Sequence, residues 1–395
     1  VSRSQGGGGV AGRAAVVVGA GMAGLAAAGA LSRAGWQVTL LERAERIAAR
    51  PTALVLWPNG RRALESLDPA GGWSSIAAAL PDGGVRRPDG QWLVTPRGRE
   101  GCGPAPAAVR LADLYDVLIA GLGDYVQVRT GFAVTAVRTG RGLRPAVGDG
   151  RTMIEADLIV AADGIDSRVR RELAPESAAV GSGFAAWQAL VPAYRLPTAH
   201  AAGGETLGAG YRFVSIPLGD GGVSWVATAA GAPRPEPPAT QLALLRRWFA
   251  GWHEPIGELL AATHPDDLVP QEVRELRPLP RTYGFGSGPG GVVLLGDAAH
   301  AMPHHLGQGA CLAFEDAATL GALVAGARPG EELATAIDTY SRLRRPRTTS
   351  VVRQTRRMSA VVQARGRLAL RARDAALNHM RPRMTAPTPD WSPPD

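Results

Sequence analysis

The chain contains no lysine; all 43 of its basic residues are arginine. That excludes a Schiff-base lysine, a Walker-type phosphate-binding lysine and a kinase strand lysine. It has two cysteines, Cys102 and Cys311, too few for a disulfide framework or a four-ligand cysteine zinc site. Its seven histidines are scattered except for His300, His304 and His305. No apolar run approaches the roughly 20 residues that span a bilayer. The start, Val1 to Gly12, is polar and glycine-rich and does not resemble a secretory signal. A cytoplasmic protein without stable membrane insertion is expected.

What is present has the composition of a globular protein: 395 residues, 45% hydrophobic and 20% charged, enough for two or three domains. Charge is unevenly placed. Between Ser341 and Arg383 thirteen arginines stand against one acid, Asp374, while the whole chain is only +8. This stretch lacks any aromatic residue to stack a base, and its apolar residues recur at helical intervals. It reads as an arginine-rich terminal helix pair packed on the body, and no nucleic-acid partner is expected.

The opening segment reads strand, glycine turn, helix, strand. Ala14 to Val18 is a buried β-run, Gly19-Ala20-Gly21-Met22-Ala23-Gly24 follows, and Leu25 to Ala34 is helical. Gly35 ends the helix, and Gln37 to Leu41 forms a second strand ending at Glu42. This is a full dinucleotide-binding βαβ pattern: one glycine for the tight turn, one for close approach to a pyrophosphate, one for helix–strand packing. Two later segments also put glycine and an acid after a buried strand. They are LIVAADGIDSRVR from Leu158 and VVLLGDAAHAMPHHLGQGACLAFEDA from Val292. The carboxyl ends of strands in an open α/β sheet converge on one crevice, so the three segments can surround one extended ligand.

In these motifs the chain resembles the class A, single-component FAD-dependent monooxygenases, the aromatic hydroxylases of the para-hydroxybenzoate and salicylate hydroxylase type. The resemblance runs from Arg13 over nearly the whole chain. It implies an α/β fold, with a Rossmann-like FAD-binding domain, a mostly β substrate-binding domain and C-terminal helices. It implies noncovalent FAD, NAD(P)H as a transient co-substrate, and O₂. It also implies a flavin C4a-hydroperoxide that hydroxylates an aromatic or other electron-rich small molecule, in keeping with bacterial secondary metabolism. Epoxidation of an alkene or indole-type substrate is the nearest alternative. A halogenase is disfavoured because the halogenating relatives use a lysine, and a non-catalytic flavoprotein is the remaining option. A monomer or homodimer is expected.

Residue by residue, the resemblance puts Gly19, Gly21, Met22, Ala23 and Gly24 at the pyrophosphate, with Glu42 and Arg43 at the adenosine. Arg110 would reach the pyrophosphate and ribityl region, and Val134 is a strand position whose backbone meets the adenine. Asp163 and Gly164 form the Asp-Gly motif, and Asp297 after Gly296 would hold a ribityl hydroxyl. Pro303, Gly307, Gln308 and Gly309 would line the isoalloxazine. His304 and His305 stand where relatives have a polar residue and asparagine, and are the candidate substrate contacts or proton relays. Pro51-Thr52-Ala53-Leu54 replaces the relatives' Gly-Ala-Gly-Ile before Pro58-Asn59. No metal is expected, because Pro303 breaks the register between His300 and His304. Cys311 reads as a packing residue.

Domain boundaries follow the texture of the chain. FAD-binding parts are expected at 13–80, 101–180 and 281–340, a substrate-domain excursion at 81–100, a substrate sheet at 181–280 and arginine-rich helices and tail at 341–395. Tyr125 to Val137 alternates like a hairpin, and Pro233 to Pro238 reads as a loop. Trp187, Tyr211, Arg212, Phe213 and Trp225 are the substrate candidates on the second sheet. Alternation separates Tyr211, Phe213 and Ser215 from Arg212, Val214 and Ile216, without saying which face meets the flavin.

Overall fold

A computed structural model describes residues 12–68, 70–81, 83–96, 104–196, 203–231, 236–379 and 391–394. Val1 to Ala11, Cys102 and the first half of the Pro233 to Pro238 loop lie outside these residues; a helix begins at Pro238.

The valine- and leucine-rich runs form a six-stranded sheet. Its order is Gly284–Gly286, Gly291–Leu294, Leu158–Ala161, Ala14–Val18, Gln37–Leu41, Val126–Arg129. The last five strands are parallel and Gly284–Gly286 is antiparallel. Leu158–Ala161 and Gly291–Leu294 are buried throughout, as strands covered on both faces must be. Val18 pairs with both Leu41 and Ala161, and Ala161 with Leu294. The carboxyl ends are thus level, and all three glycine-and-acid segments leave one edge of the sheet.

Two expectations are corrected. Tyr125 to Val137 is not a hairpin: Val126–Arg129 is the parallel edge strand, and Ala136–Arg138 belongs to a separate three-stranded antiparallel sheet. Alternation reveals a half-buried strand but not its partner. Val134 accordingly lies on the approach to Ala136–Arg138 and not within a strand.

The second sheet has seven strands: Val269–Arg277, Ala178–Val191, Val223–Ala230, Tyr211–Pro217, Gly204–Leu207, Val85–Arg86, Trp92–Val94. All pairings are antiparallel except Gly204–Leu207 with Val85–Arg86. One face packs under the helices Pro238–Trp248 and Ile256–Ala262, where Trp225, Phe213, Leu242, Leu245, Phe249 and Leu259 form a core. The opposite face meets the dinucleotide-binding body: Val214, Ile216 and Leu190 pack on Ala53, Val55 and Ala108. The long helix Glu331–Val362 runs through the boundary expected at 340/341, and Arg367–His379 follows it.

Candidate active site

The glycines of the carboxyl edge divide into two kinds. At Gly19 (φ +96°) an added Cβ would lie 2.5 Å from the Ala162 carbonyl oxygen, and at Gly24 only 1.8 Å from that of Gly19. A Cβ on Gly296 would meet the Ala23 methyl at 2.9 Å. These three glycines allow turn, helix and strand to pack. Gly21, Gly164 and Gly309 instead face open space. The nearest atom to a Cβ on Gly21 is the Tyr115 hydroxyl at 3.9 Å, and nothing lies within 4 Å at Gly164 or Gly309. Gly21 precedes the helix Met22–Arg33, and Gly309 opens the helix Gly309–Val324. Neither helix has a side-chain cap, so both present backbone N–H groups to these open surfaces.

Glu42 stands at the end of Gln37–Leu41 and accepts the Ala20 N–H through Oε2 and the Ala44 N–H through Oε1, both at 2.9 Å. It therefore holds the glycine turn as well as facing it. Arg43 beside it is exposed. Tyr115, which the motifs do not mark, lies at the same turn; burial first, then Glu42, raises its pKa. Ser167 caps the helix Arg168–Leu173, Asp163 Oδ2 accepts from Arg168 N at 2.8 Å, and Asp163 Oδ1 is buried without a partner. Burial raises its carboxyl pKa. Arg170, 1% exposed, joins this segment to the next by donating to the carbonyls of Ile165 (2.6 Å) and Ala298 (3.3 Å). Asp297 is exposed, yet desolvation by the surrounding protein pushes its carboxyl pKa up. Arg110 ends the strand Ala107–Arg110 and pairs with Asp220, on the turn between two strands of the second sheet.

The loop after Pro303 is not an exposed one. His305 is 5% exposed and His304 half-buried, and the Phe184 ring packs against both, 4.3 Å from His305 and 5.6 Å from His304. Burial, with Arg212 nearby, lowers the His304 pKa to about 3. Burial, then Arg212 and His304, lowers that of His305 as well. Both imidazoles are therefore neutral. Ser359 Oγ donates its hydrogen to the Thr355 carbonyl (3.0 Å), so His305 Nδ1–H donates to Ser359 Oγ (2.8 Å). His305 Nε2 is left as a bare acceptor with no partner, and His304 Nε2 is unpartnered too. Gly307 is left-handed (φ +61°), and a Cβ there would come 3.1 Å from Trp57 Nε1, another buried atom without a partner.

Of the substrate candidates only Arg212 reaches the loop after Pro303. It donates to Glu205 Oε1 at 2.6 Å and to the His305 carbonyl at 3.2 Å. Trp187, Tyr211, Phe213 and Trp225 point the other way, into the core beneath the helices. There Trp187 Nε1 donates to Gln241 Oε1, Trp225 Nε1 donates to Thr263 Oγ1, and Phe213 stacks on Trp225. These four are packing residues. Their large rings belong on the face that two helices cover, and the inner face carries Phe184, Arg212, Val214 and Ile216.

Sequence reasoning missed a buried polar cluster under the loop. Asn59 Nδ2 donates to Gln308 Oε1 (2.9 Å) and Glu315 Oε1 (2.7 Å), and Arg347 bonds Glu315 through two nitrogens. Asp316 receives His300 and Arg344. The FEDA tetrapeptide, acidic inside an apolar helix, is the one signal that could have pointed to it. Cys311 is buried against Gly60, and burial pushes its thiol up to about 12, too weak an acid for thiolate chemistry. Among the described residues no cluster of three His, Cys, Asp or Glu side chains could hold a metal, and no helix is long and apolar enough to cross a membrane.

Level strand ends, two uncapped helix N-termini and outward-facing glycines give the sheet edge the form of a dinucleotide-binding site. The chain belongs to the FAD binding domain family, whose model matches residues 13–355. Aurachin C monooxygenase/isomerase of Stigmatella aurantiaca is 32% identical over 314 residues, 77% of this chain and 79% of that protein. 3-Amino-4-hydroxybenzoate 2-monooxygenase of Streptomyces cremeus is 34% identical over 360 residues, 87% of this chain and 86% of that one. The crystal structure of Klebsiella pneumoniae HpxO with FAD and uric acid superposes with a TM-score of 0.80 at 27% identity, covering 93% of each chain. This chain is an FAD-dependent monooxygenase. The residues present fit FAD: Gly21, Gly164 and Gly309 leave the space, and Asp163 Oδ1 awaits a donor.

Proposed function

We propose that this chain hydroxylates an electron-rich aromatic compound, held between the carboxyl edge of the parallel sheet and the inner face of the second sheet, using NAD(P)H as reductant. The observation that carries this reading is the meeting of those two surfaces at one loop, where Arg212 of the sheet bonds the His305 carbonyl beside Gly307 to Gly309.

Gly19 to Gly24 would hold the pyrophosphate on the first helix N-terminus, with Met22 and Ala23 offering their N–H groups. Glu42 and Arg43 would hold the adenosine, with the Val134 backbone beside the adenine. Asp163, Gly164, Arg110, Gly296 and Asp297 would follow the middle of the cofactor, and Arg110 would leave Asp220 to do so. Pro303, Gly307, Gln308 and Gly309 would lie beneath the ring, where backbone N–H groups stabilise developing negative charge. Bound FAD supplies the electron transfer and oxygen activation. The protein's part is to exclude water and orient the substrate. His305 Nε2 would accept a hydrogen bond from a substrate O–H or N–H, which raises electron density on the ring to be oxygenated. Val85–Arg86 and Trp92–Val94 would be the early contribution of the chain to the substrate sheet.

The test is a panel of phenols and nitrogen heteroaromatics, scored by stimulated NAD(P)H oxidation and by product mass. A product gaining one oxygen atom is expected. Flavin reduction that no panel member accelerates, with no oxygenated product, would count against it.

A further inference from the structure

One carboxylate oxygen holds both ends of the helical turn that carries Asp297. Asp316 Oδ2 accepts the Gly296 backbone N–H at 3.0 Å and the His300 ring nitrogen Nε2 at 2.6 Å. Gly296 precedes the turn Asp297–His300 and His300 ends it. The other oxygen, Oδ1, accepts Arg344 Nε at 2.6 Å. His300 and Asp316 are fully buried and Arg344 is 1% exposed. Burial by itself would raise the Asp316 carboxyl pKa, but His300 and Arg344 outweigh it and hold the group below the ordinary range. Asp316 is thus an ionised acceptor, and His300 Nε2 carries the hydrogen.

The preceding residue treats the far end of the loop in the same way. Glu315 accepts Asn59, which also binds Gln308, the residue before Gly309. Arg344 and Arg347 balance the two acids. A buried ionic cluster is seldom more stabilising than apolar residues of the same volume. Stability is therefore a poor reason for this one, and the fixing of a conformation is a better one. Its bonds end on the backbone and side chains that bracket the loop from Gly296 to Gly309.

We propose that His300 and Asp316 are positioning residues for the flavin: they fix the Asp297–His300 turn so that Asp297 meets the cofactor in one orientation. This rests on the reading that Asp297 contacts FAD.

The experiment is a double-mutant cycle on FAD dissociation, followed by the return of flavin fluorescence, with the thermal midpoint of the flavin-free protein as a parallel readout. Asp297→Ala and His300→Phe should each weaken FAD by about tenfold, the size expected for one lost hydrogen bond to a charged group. Their combination should be no weaker than Asp297→Ala alone, because His300 acts through Asp297. His300→Gln, which keeps a donor, should recover most of the affinity. A structural role alone would give multiplicative losses and no rescue, and that result overturns the proposal. So does unchanged FAD binding in His300→Phe alongside weakened binding in Asp297→Ala. If Asp297→Ala itself binds FAD normally, the reading of Asp297 is what fails, and the positioning role falls with it. Should His300→Phe not fold, His300→Asn, polar but too short to reach Asp316, takes its place in the cycle.

Discussion

Arg212 Nη2 donates to the carbonyl oxygen of His305 at 3.2 Å, joining a strand of the second sheet to the loop at the edge of the first. Glu205, a quarter exposed, neutralises the guanidinium from the other side. Removing a partner from a largely buried pair leaves the other charge uncompensated. Arg212→Leu should cost about 2–3 kcal/mol of stability, read from denaturant midpoints, and should lower coupling of NAD(P)H use to product. A variant of wild-type stability would remove Arg212 from this joint.

The two kinds of glycine separate fold from cofactor binding. Gly24→Ala places a methyl against the Gly19 carbonyl and should destabilise the flavin-free protein by roughly 1–3 kcal/mol, the cost of overpacking. Gly21→Ala and Gly309→Val extend into open space. They should leave the flavin-free melting temperature nearly unchanged and weaken FAD or oxygen transfer. Equal effects of Gly24→Ala and Gly21→Ala on melting would contradict this division.

Glu42 acts on the protein as well as on the ligand, since both of its oxygens already accept backbone N–H groups. Glu42→Ala should weaken FAD by roughly 1–3 kcal/mol and also lower the melting temperature of the flavin-free protein. Titration calorimetry and melting curves on one preparation separate the two effects. Unchanged affinity would remove Glu42 from the adenosine site.

Acid should destabilise the protein through His304. Its folded pKa is depressed to about 3 from 6.5, by burial and then by Arg212. The unfolded chain takes up that proton between these values and the folded protein does not, so stability falls as pH falls through the window. Going from about pH 7 to about pH 5 should cost roughly 1–2 kcal/mol from this half-buried group. His304→Gln should flatten the curve in part, leaving the loss that the neighbouring buried His305 contributes in the same direction. Arg212→Leu should flatten it in part, because removing the neighbouring charge lets the His304 pKa rise. A pH profile identical in wild type and His304→Gln would show that the imidazole is protonated without cost.

The parts legible in the sequence were those with local causes. Gly19 to Gly24 could be read because the tight turn is local, Gly19 at positive φ and Gly24 against the Gly19 carbonyl, and the buried strands at Leu158 and Gly291 because continuous apolar runs suit a parallel sheet. What escaped depends on distant partners. Asn59 and Gln308 are 249 residues apart, and nothing near either one announces the pair. The burial of His304 and His305 comes from Phe184, Arg212 and Ser359, on three other elements. Alternation along Tyr211–Pro217 separated two faces correctly. Only the packing of the helices Pro238–Trp248 and Ile256–Ala262 decides that Tyr211 and Phe213 are core while Arg212 turns to the loop that carries His305.

The central claim is a single FAD site built from three turns at one sheet edge, and flavin content per chain tests it most directly. Protein saturated with FAD, then desalted and precipitated with acid, should release intact FAD at close to one molecule per chain. Gly309→Val should release markedly less while remaining folded. A wild-type protein that stays colourless after reconstitution, or a Gly309→Val variant that retains full flavin and full coupling, would contradict the account.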